Sequence, residues 1–434
     1  MKIILLIPQN RIAMSIFDII TVLIFFSGVF IFINTFYLKL PSSIGLTILA
    51  LALSLLVFVF GFLFPEFHLA EHVKKYDFAE VLYRFVLSVM LFAGGLNVDF
   101  KKLGDQLVPV LVLSFFGVLI STFVIATLIY FTAGMLGITL SYIASLVFGA
   151  LISSTDPVAI TKTIRRFKMS NELETKISGE ALLNGAIAIV LALVLVNIYK
   201  EQAAMGSLNF TGAAWVLIRD LGGGLIAGLF FGWLGYSVLN YIDNDKVEVE
   251  VLITLALVMG GSYVADLMYV SSMMVAATTG LILGNFGRNE KGENAVGAYV
   301  YRFWQLLEET LAAMLFVLIG FEMLVIPLRL DYFALGFFAV NFALFARWIS
   351  VFIPIRLMSM SRSFDDGTIP VLSWGALRGG LPVAVSLSLT NFPGQEIIVT
   401  MTYVVVVCSV LYQGFTLTKV MKYYNDKHPM KWMD

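Results

Sequence analysis

A carboxylate beside a proline inside an apolar stretch is the pattern in this sequence that most invites chemistry. Asp156 stands in Ser153-Ser154-Thr155-Asp156-Pro157, near the middle of a long apolar run. Proline removes a backbone hydrogen bond, and the neighbouring hydroxyls can bind the freed groups. Such a carboxylate can hold a cation or a proton, one excluding the other, by simple competition. A second interruption lies in Trp374-Gly375-Ala376-Leu377-Arg378-Gly379-Gly380-Leu381-Pro382, where Arg378 sits among the breakers Gly379, Gly380 and Pro382. Freed carbonyls and helix ends there can bind cations, or be balanced by Asp156 and Arg378. Glu180 and Asn184 are four apart and share one helix face, and Arg347 lies in the apolar run from Asn341 to Val351. A buried Glu180–Arg347 pair reads as readily as a purely structural contact. Glu80, Arg84, Asp99, Asp266, Glu308, Glu309 and Glu322 lie nearer expected span ends, where charges usually snorkel to the interface.

The elements that must position these residues are transmembrane helices. The chain has 434 residues, 59% hydrophobic and only 13% charged, with a mean hydropathy of +0.92. A soluble domain carries roughly 25% charged residues, so this much apolar surface needs a bilayer as solvent. A spanning helix takes about 20 mostly apolar residues. About thirteen such runs lie near 12–37, 43–64, 79–98, 107–133, 138–162, 176–199, 212–241, 248–267, 270–286, 299–326, 332–358, 368–390 and 397–421. The expected fold is therefore all-α and polytopic. The interrupted runs are the fifth and twelfth, and broken helices in corresponding places of two halves point to a transport site near the midplane.

Lysine and arginine mark the cytoplasmic side. They cluster at Lys101 and Lys102, from Lys162 to Lys176, at Arg288, Lys291 and Arg302, at Arg356 and Arg362, and in the tail from Lys419. The loops at 134–138 and 391–396 hold neither. These counts place the N-terminus outside and the C-terminus in the cytoplasm, against exceptions at Lys74, Lys75, Lys200 and Arg329. The apolar run Ile3 to Ile7 is too short for a signal-peptide core.

Other classes of function find little footing. The net charge of -1 gives no basic footprint for nucleic acid. Cys408 is the single cysteine, so no intramolecular disulfide is available. His68 and His72 lie in a polar loop beside Glu66 and Glu71, which reads as solvated chain rather than a metal site. Gly222-Gly223-Gly224 has no phosphate-loop lysine and fits close helix packing. Neither an enzyme activity nor a cofactor is expected.

Together these residues resemble the monovalent cation:proton antiporter family, the bacterial sodium/proton antiporters related to animal sodium/hydrogen exchangers. The likeness runs through Phe92-Ala93-Gly94-Gly95-Leu96-Asn97-Val98-Asp99, Ser154 to Ala159, Gly179-Glu180-Ala181-Leu182-Leu183-Asn184 and Phe303-Trp304. It is strongest in Leu377 to Ala384 and Thr402 to Val407. The resemblance implies thirteen helices in inverted repeats, with two crossing unwound helices at Asp156 and Arg378. It implies scaffold and dimerisation helices in 1–98, one half of a transport core in 99–199, and linker and scaffold helices in 200–330. The second core half would be 331–421, followed by a cytoplasmic tail at 422–434. It also implies an ion bridge between Glu180 and Arg347, a homodimer in the cell membrane, and a role in pH homeostasis. The ion and proton site would comprise Asp156, Thr155 and Asn184, serving Na+ first, with Li+ and K+ not separated by the sequence.

One departure is large. The family motif ends in Asn-Asp, and that aspartate is the principal cation and proton carrier. Here Gly185 follows Asn184, and a frequent serine is Ala181. These two are four apart, so one helix face has lost both ligands. Ala312 stands where bacterial relatives commonly carry asparagine. A working antiporter would then rely on Asp156 as carrier. The alternative is a chain that keeps the fold but has left ordinary antiport, serving as a sensor, a partner subunit or a carrier of another solute.

Overall fold

The computed structural model describes residues 16–63, 86–98, 100–156, 171–205, 210–241, 247–285, 297–323, 326–327, 329–362, 364, 367–389 and 392–427. Among these, every regular element is a helix. In chain order they are α1 (Ile16–Ile33), α2 (Ser42–Leu63), α3 (Leu87–Leu96), α4 (Phe100–Met135), α5 (Tyr142–Ser153), α6 (Asn171–Met205), α7 (Phe210–Tyr241) and α8 (Val247–Leu267). They continue as α9 (Ser272–Leu283), α10 (Ala298–Glu322), α11 (Leu330–Met358), α12 (Thr368–Trp374), α13 (Leu381–Leu387), α14 (Gln395–Cys408) and α15 (Gly414–Lys427). Wide π turns at Asn34–Leu38 and Ser409–Gln413 extend α1 and join α14 to α15.

Each of the thirteen expected runs meets a described helix. Nine spans among the described residues are long and apolar enough to cross a bilayer, the last of them running from α14 through the π turn into α15. The shorter apolar helices are α3, α5 and α9. The run at 368–390 is two short helices, α12 and α13, separated by irregular chain at 376–379. The chain is a multi-pass membrane protein. Pro157, the basic run from Lys162 to Lys168, the His68/His72 pair, Glu80, Arg84, Asp99, Arg288 and Lys291 lie outside the described residues.

Burial separates interior from rim. The apolar window of α6 is 72% buried, whereas that of α7 is 17% buried. α6 therefore carries interior side chains. α7 turns Trp215, Ile218, Phe230 and Trp233 outward, where an apolar solvent is the environment such residues require. Its inner face is made of small residues. Side-chain carbons on Gly224, Gly228 and Gly232 would come within 2.8, 2.6 and 2.5 Å of side-chain atoms of Met274, Thr278 and Ile282 on α9. Spacing of four puts these glycines on one stripe and lets the two backbones approach closely. Gly223 joins the contact, against Val270, while Gly222 faces open space.

Two apolar clusters form the interior. One draws mainly on α4, α5, α6 and α11, the other mainly on α1, α2, α3 and α10. α14 serves both, with Ile398, Met401 and Val405 in the first and Val399, Tyr403 and Val406 in the second.

Candidate functional site

The site grows out of two failures of helical continuity. α5 starts well capped, since the Ser141 hydroxyl accepts a hydrogen bond from the amide of Ala144 at 3.1 Å. It stops at Ser153, and Ser154 turns extended with φ -61° and ψ 138°. The amide of Asp156 then donates to the carbonyl of Leu377, in the break between α12 and α13, at 2.8 Å. The two interrupted segments are thus joined backbone to backbone. α13 restarts with Leu381 and Pro382, where proline costs little because first-turn amides have no intrahelical partner.

Each freed group has a specific partner. The buried Arg378 guanidinium donates to the carbonyls of Ile152 (3.2 Å), Ala376 (3.0 Å) and Ala343 (3.1 Å). Ile152 belongs to the last turn of α5, so a cation satisfies the carbonyl end of that half-helix. The Arg378 amide donates to the Ser409 hydroxyl at 3.0 Å, and Gln413 Nε2 donates to the Trp374 carbonyl at 3.1 Å. Ser409 in turn donates to Gln413 Oε1 at 2.6 Å. The π turn between α14 and α15 therefore services the break in its neighbour. Sequence reading missed this role; Ser409 and Gln413, four apart on one helix face after the apolar run Val404–Cys408, are its signal.

Glu180 and Arg347 meet as a bidentate pair. Arg347 Nη1 donates to Glu180 Oε1 at 2.8 Å and Nη2 to Oε2 at 2.9 Å. Both side chains are nearly inaccessible, at 4% and 2% exposure, so the parallel bonds are needed to offset the loss of water. Asn184 Nδ2 adds a bond to Glu180 Oε1 at 2.7 Å, and Arg347 also reaches the Leu372 carbonyl. Asn184 is thus drawn to the ion pair. Its Oδ1 is buried with no hydrogen-bond partner among the described residues.

Asp156 lines two cavities. One, of about 10 Å3, is lined by Thr155, Asp156, Glu180, Ala181 and Arg347 among others. The other, of about 40 Å3, is lined by Thr155, Asp156, Gly185, Glu308, Gly379 and Gly380 among others. A water needs roughly 10–15 Å3, so the first has room for about one and the second for more. Thr155 Oγ1 is buried, borders both, and has no partner among the described residues. Gly379 is required by close approach: a side-chain carbon there would overlap Asp156 Oδ2. Gly185 is different, since a side-chain carbon there would meet Ser154 Oγ at 3.8 Å and Leu91 Cδ2 at 4.0 Å, ordinary contacts.

Of the residues singled out from sequence, Thr155, Asp156, Gly379, Gly380 and Pro382 converge on one cavity wall. Glu180, Asn184 and Arg347 form the adjoining polar cluster. Arg378 is turned away onto carbonyls. Glu308, expected near a span end, lies within α10, only 8% exposed, on the larger cavity.

Comparison with known proteins identifies the family and the fold. The family described as sodium/hydrogen exchanger, transmembrane, matches residues 12–423. A protein of Pseudomonas aeruginosa named Na(+)/H(+) antiporter NhaP is 34% identical over 421 residues, covering 95% of this chain and 98% of that one. A Halobacillus dabanensis protein named Na(+)/H(+) antiporter NhaH is 26% identical, covering 89% and 92%. The solved structure of the sodium proton antiporter MjNhaP1 from Methanocaldococcus jannaschii superposes with a TM-score of 0.72 at 18% identity, over 94% of this chain and 97% of that one. With matches of this extent behind it, the chain belongs to the sodium/hydrogen exchanger family.

Proposed function

We propose that this chain exchanges a monovalent cation, Na+ foremost, for protons across the cell membrane by alternating access. The observation that carries the reading is Asp156, held where two interrupted helices meet and lining two cavities. A single carboxylate that binds either a cation or a proton couples the two fluxes by competition. Thr155 and Asn184 offer neutral oxygens, which suit a hard cation. Glu180 is engaged by Arg347 and serves the frame of the site rather than the exchange. Relatives with printed activities are Na+/H+ antiporters, and nothing in them favours a chain that keeps the fold but has left antiport. The test is a dye measurement of a preset pH gradient in inverted vesicles. Addition of Na+, Li+ or K+ should dissipate the gradient within about pH 6 to 9. A flat trace with all three cations would sink the proposal.

The same reading divides the chain into scaffold helices in 1–98 and 200–330 and core halves in 99–199 and 331–421, and pairs two chains as a homodimer. It puts the N-terminus outside and the tail at 422–434 in the cytoplasm, on the strength of the lysine and arginine distribution. Single cysteines placed in the 391–396 loop and in the tail should label from opposite sides of the membrane. Labelling of both from one side would refute this orientation.

A further inference from the structure

No acidic side chain of α6 lines the larger cavity beside Asp156. Gly185 and Ala181 stand one turn apart on α6 and bring no side-chain oxygen to the larger cavity. The charge enters from another helix. Glu308, on α10, is buried and lines that cavity together with Asp156 and Thr155. Leu315, seven residues on, lines it too, so one face of α10 looks into the space. The rest of that wall is largely apolar, with Met90, Leu91, Leu182 and Leu381. Two acidic residues and a buried threonine therefore line one largely apolar chamber, the kind of lining by which pockets fix a ligand. The hydroxyl is independent testimony. Thr155 Oγ1 is buried, borders the chamber, and has no hydrogen-bond partner among the described residues. A buried oxygen of this kind lacks a donor or a cation.

We propose that Glu308 is the second carboxylate of the cation site, facing Asp156 across the cavity that Gly185 leaves open. The proposal rests on the exchange reading above. Two carboxylates on one chamber can share a cation with oxygen ligands, and protonation of either one competes with that cation. The site is then shared between packing units. Glu308 rides on a helix whose buried residues, from Leu311 to Ile319, belong to one apolar cluster, while α5 and most of α6 belong to the other. A bound cation would tie the two together.

The test uses the whole protein in sealed vesicles, reading both the Na+ concentration for half-maximal response and the maximal rate. Na+-dependent shifts in melting temperature of the purified protein supply a readout independent of transport. Glu308→Gln should raise the half-maximal concentration by about tenfold or more and shrink the thermal shift by Na+. Glu309→Gln, on the next residue, should leave both near the parent values. Gly185→Asp added to Glu308→Gln should recover part of the affinity, since the open space accepts a side chain there. Should Glu308→Gln fail to fold, Glu308→Asp takes its place, with a smaller shift in the same direction. A parent that responds to Na+ alongside a Glu308 variant of unchanged half-maximal concentration overturns this inference alone. A parent without any cation response overturns the exchange reading and this one with it.

Discussion

Arg347→Ala should lower the stability of the protein by about 3–5 kcal/mol, the range for breaking a buried ion pair by removing one partner. The cause is what remains. Glu180 would keep its single bond from Asn184 but lose both guanidinium donors in a site closed to water. The Leu372 carbonyl would lose its donor as well. The double change Glu180→Gln with Arg347→Gln removes both charges and should cost less than Arg347→Ala. Thermal unfolding in detergent, read by fluorescence or by loss of the monodisperse peak, measures all three. Equal melting temperatures for the parent and every variant would contradict the pairing energetics.

The other large effect is expected at Asp156. Asp156→Asn preserves size and takes away the negative charge. It should abolish cation-dependent proton movement, a drop of at least about two orders of magnitude if the carboxylate is the exchanging group. The protein should still fold, because the Asp156 amide keeps its bond to Leu377. Gly185→Asp in the otherwise unchanged chain should shift apparent cation affinity without unfolding, given the ordinary contacts a side chain meets there. An Asp156→Asn protein that transports like the parent would remove Asp156 from the site whatever else holds.

Span positions were legible because bilayer thickness imposes a length on apolar runs, and that constraint is local. The breaks were legible for a similar reason, since Gly379, Gly380 and Pro382 act on their own backbone. The bond between Glu180 and Arg347 was not, for they are 167 residues apart and spacing says nothing about such a pair. From the residues alone the pair read as readily as a structural contact, and its place as the core ion bridge entered through the family resemblance. Glu308 was misread for a physical reason. Glu308 and Glu309 group in the sequence with the charges nearer span ends, although the expected run already opens at 299. α10 begins at Ala298, which sets Glu308 about 15 Å along the helix axis at 1.5 Å per residue, and its burial comes from tertiary packing that no local pattern shows. Ser409 and Gln413 escaped notice because their partners are backbone groups released by a break on another segment.

The junction of the interrupted helices has a mechanical consequence. The Asp156 amide holds Leu377, and the Arg378 guanidinium holds carbonyls on α5 and α11. A torsion that rotated one half-helix alone would strip several buried hydrogen bonds at once. The junction is therefore a lock and not a hinge. Compliance must be found elsewhere, along seams where side chains slide without breaking polar bonds, as in shear between packed helices. α14 offers such a seam, with one greasy flank against each of the two apolar clusters. The carboxylate would then travel as cargo fixed in a stiff frame, and the membrane face to which it opens would depend on how far that frame has slipped.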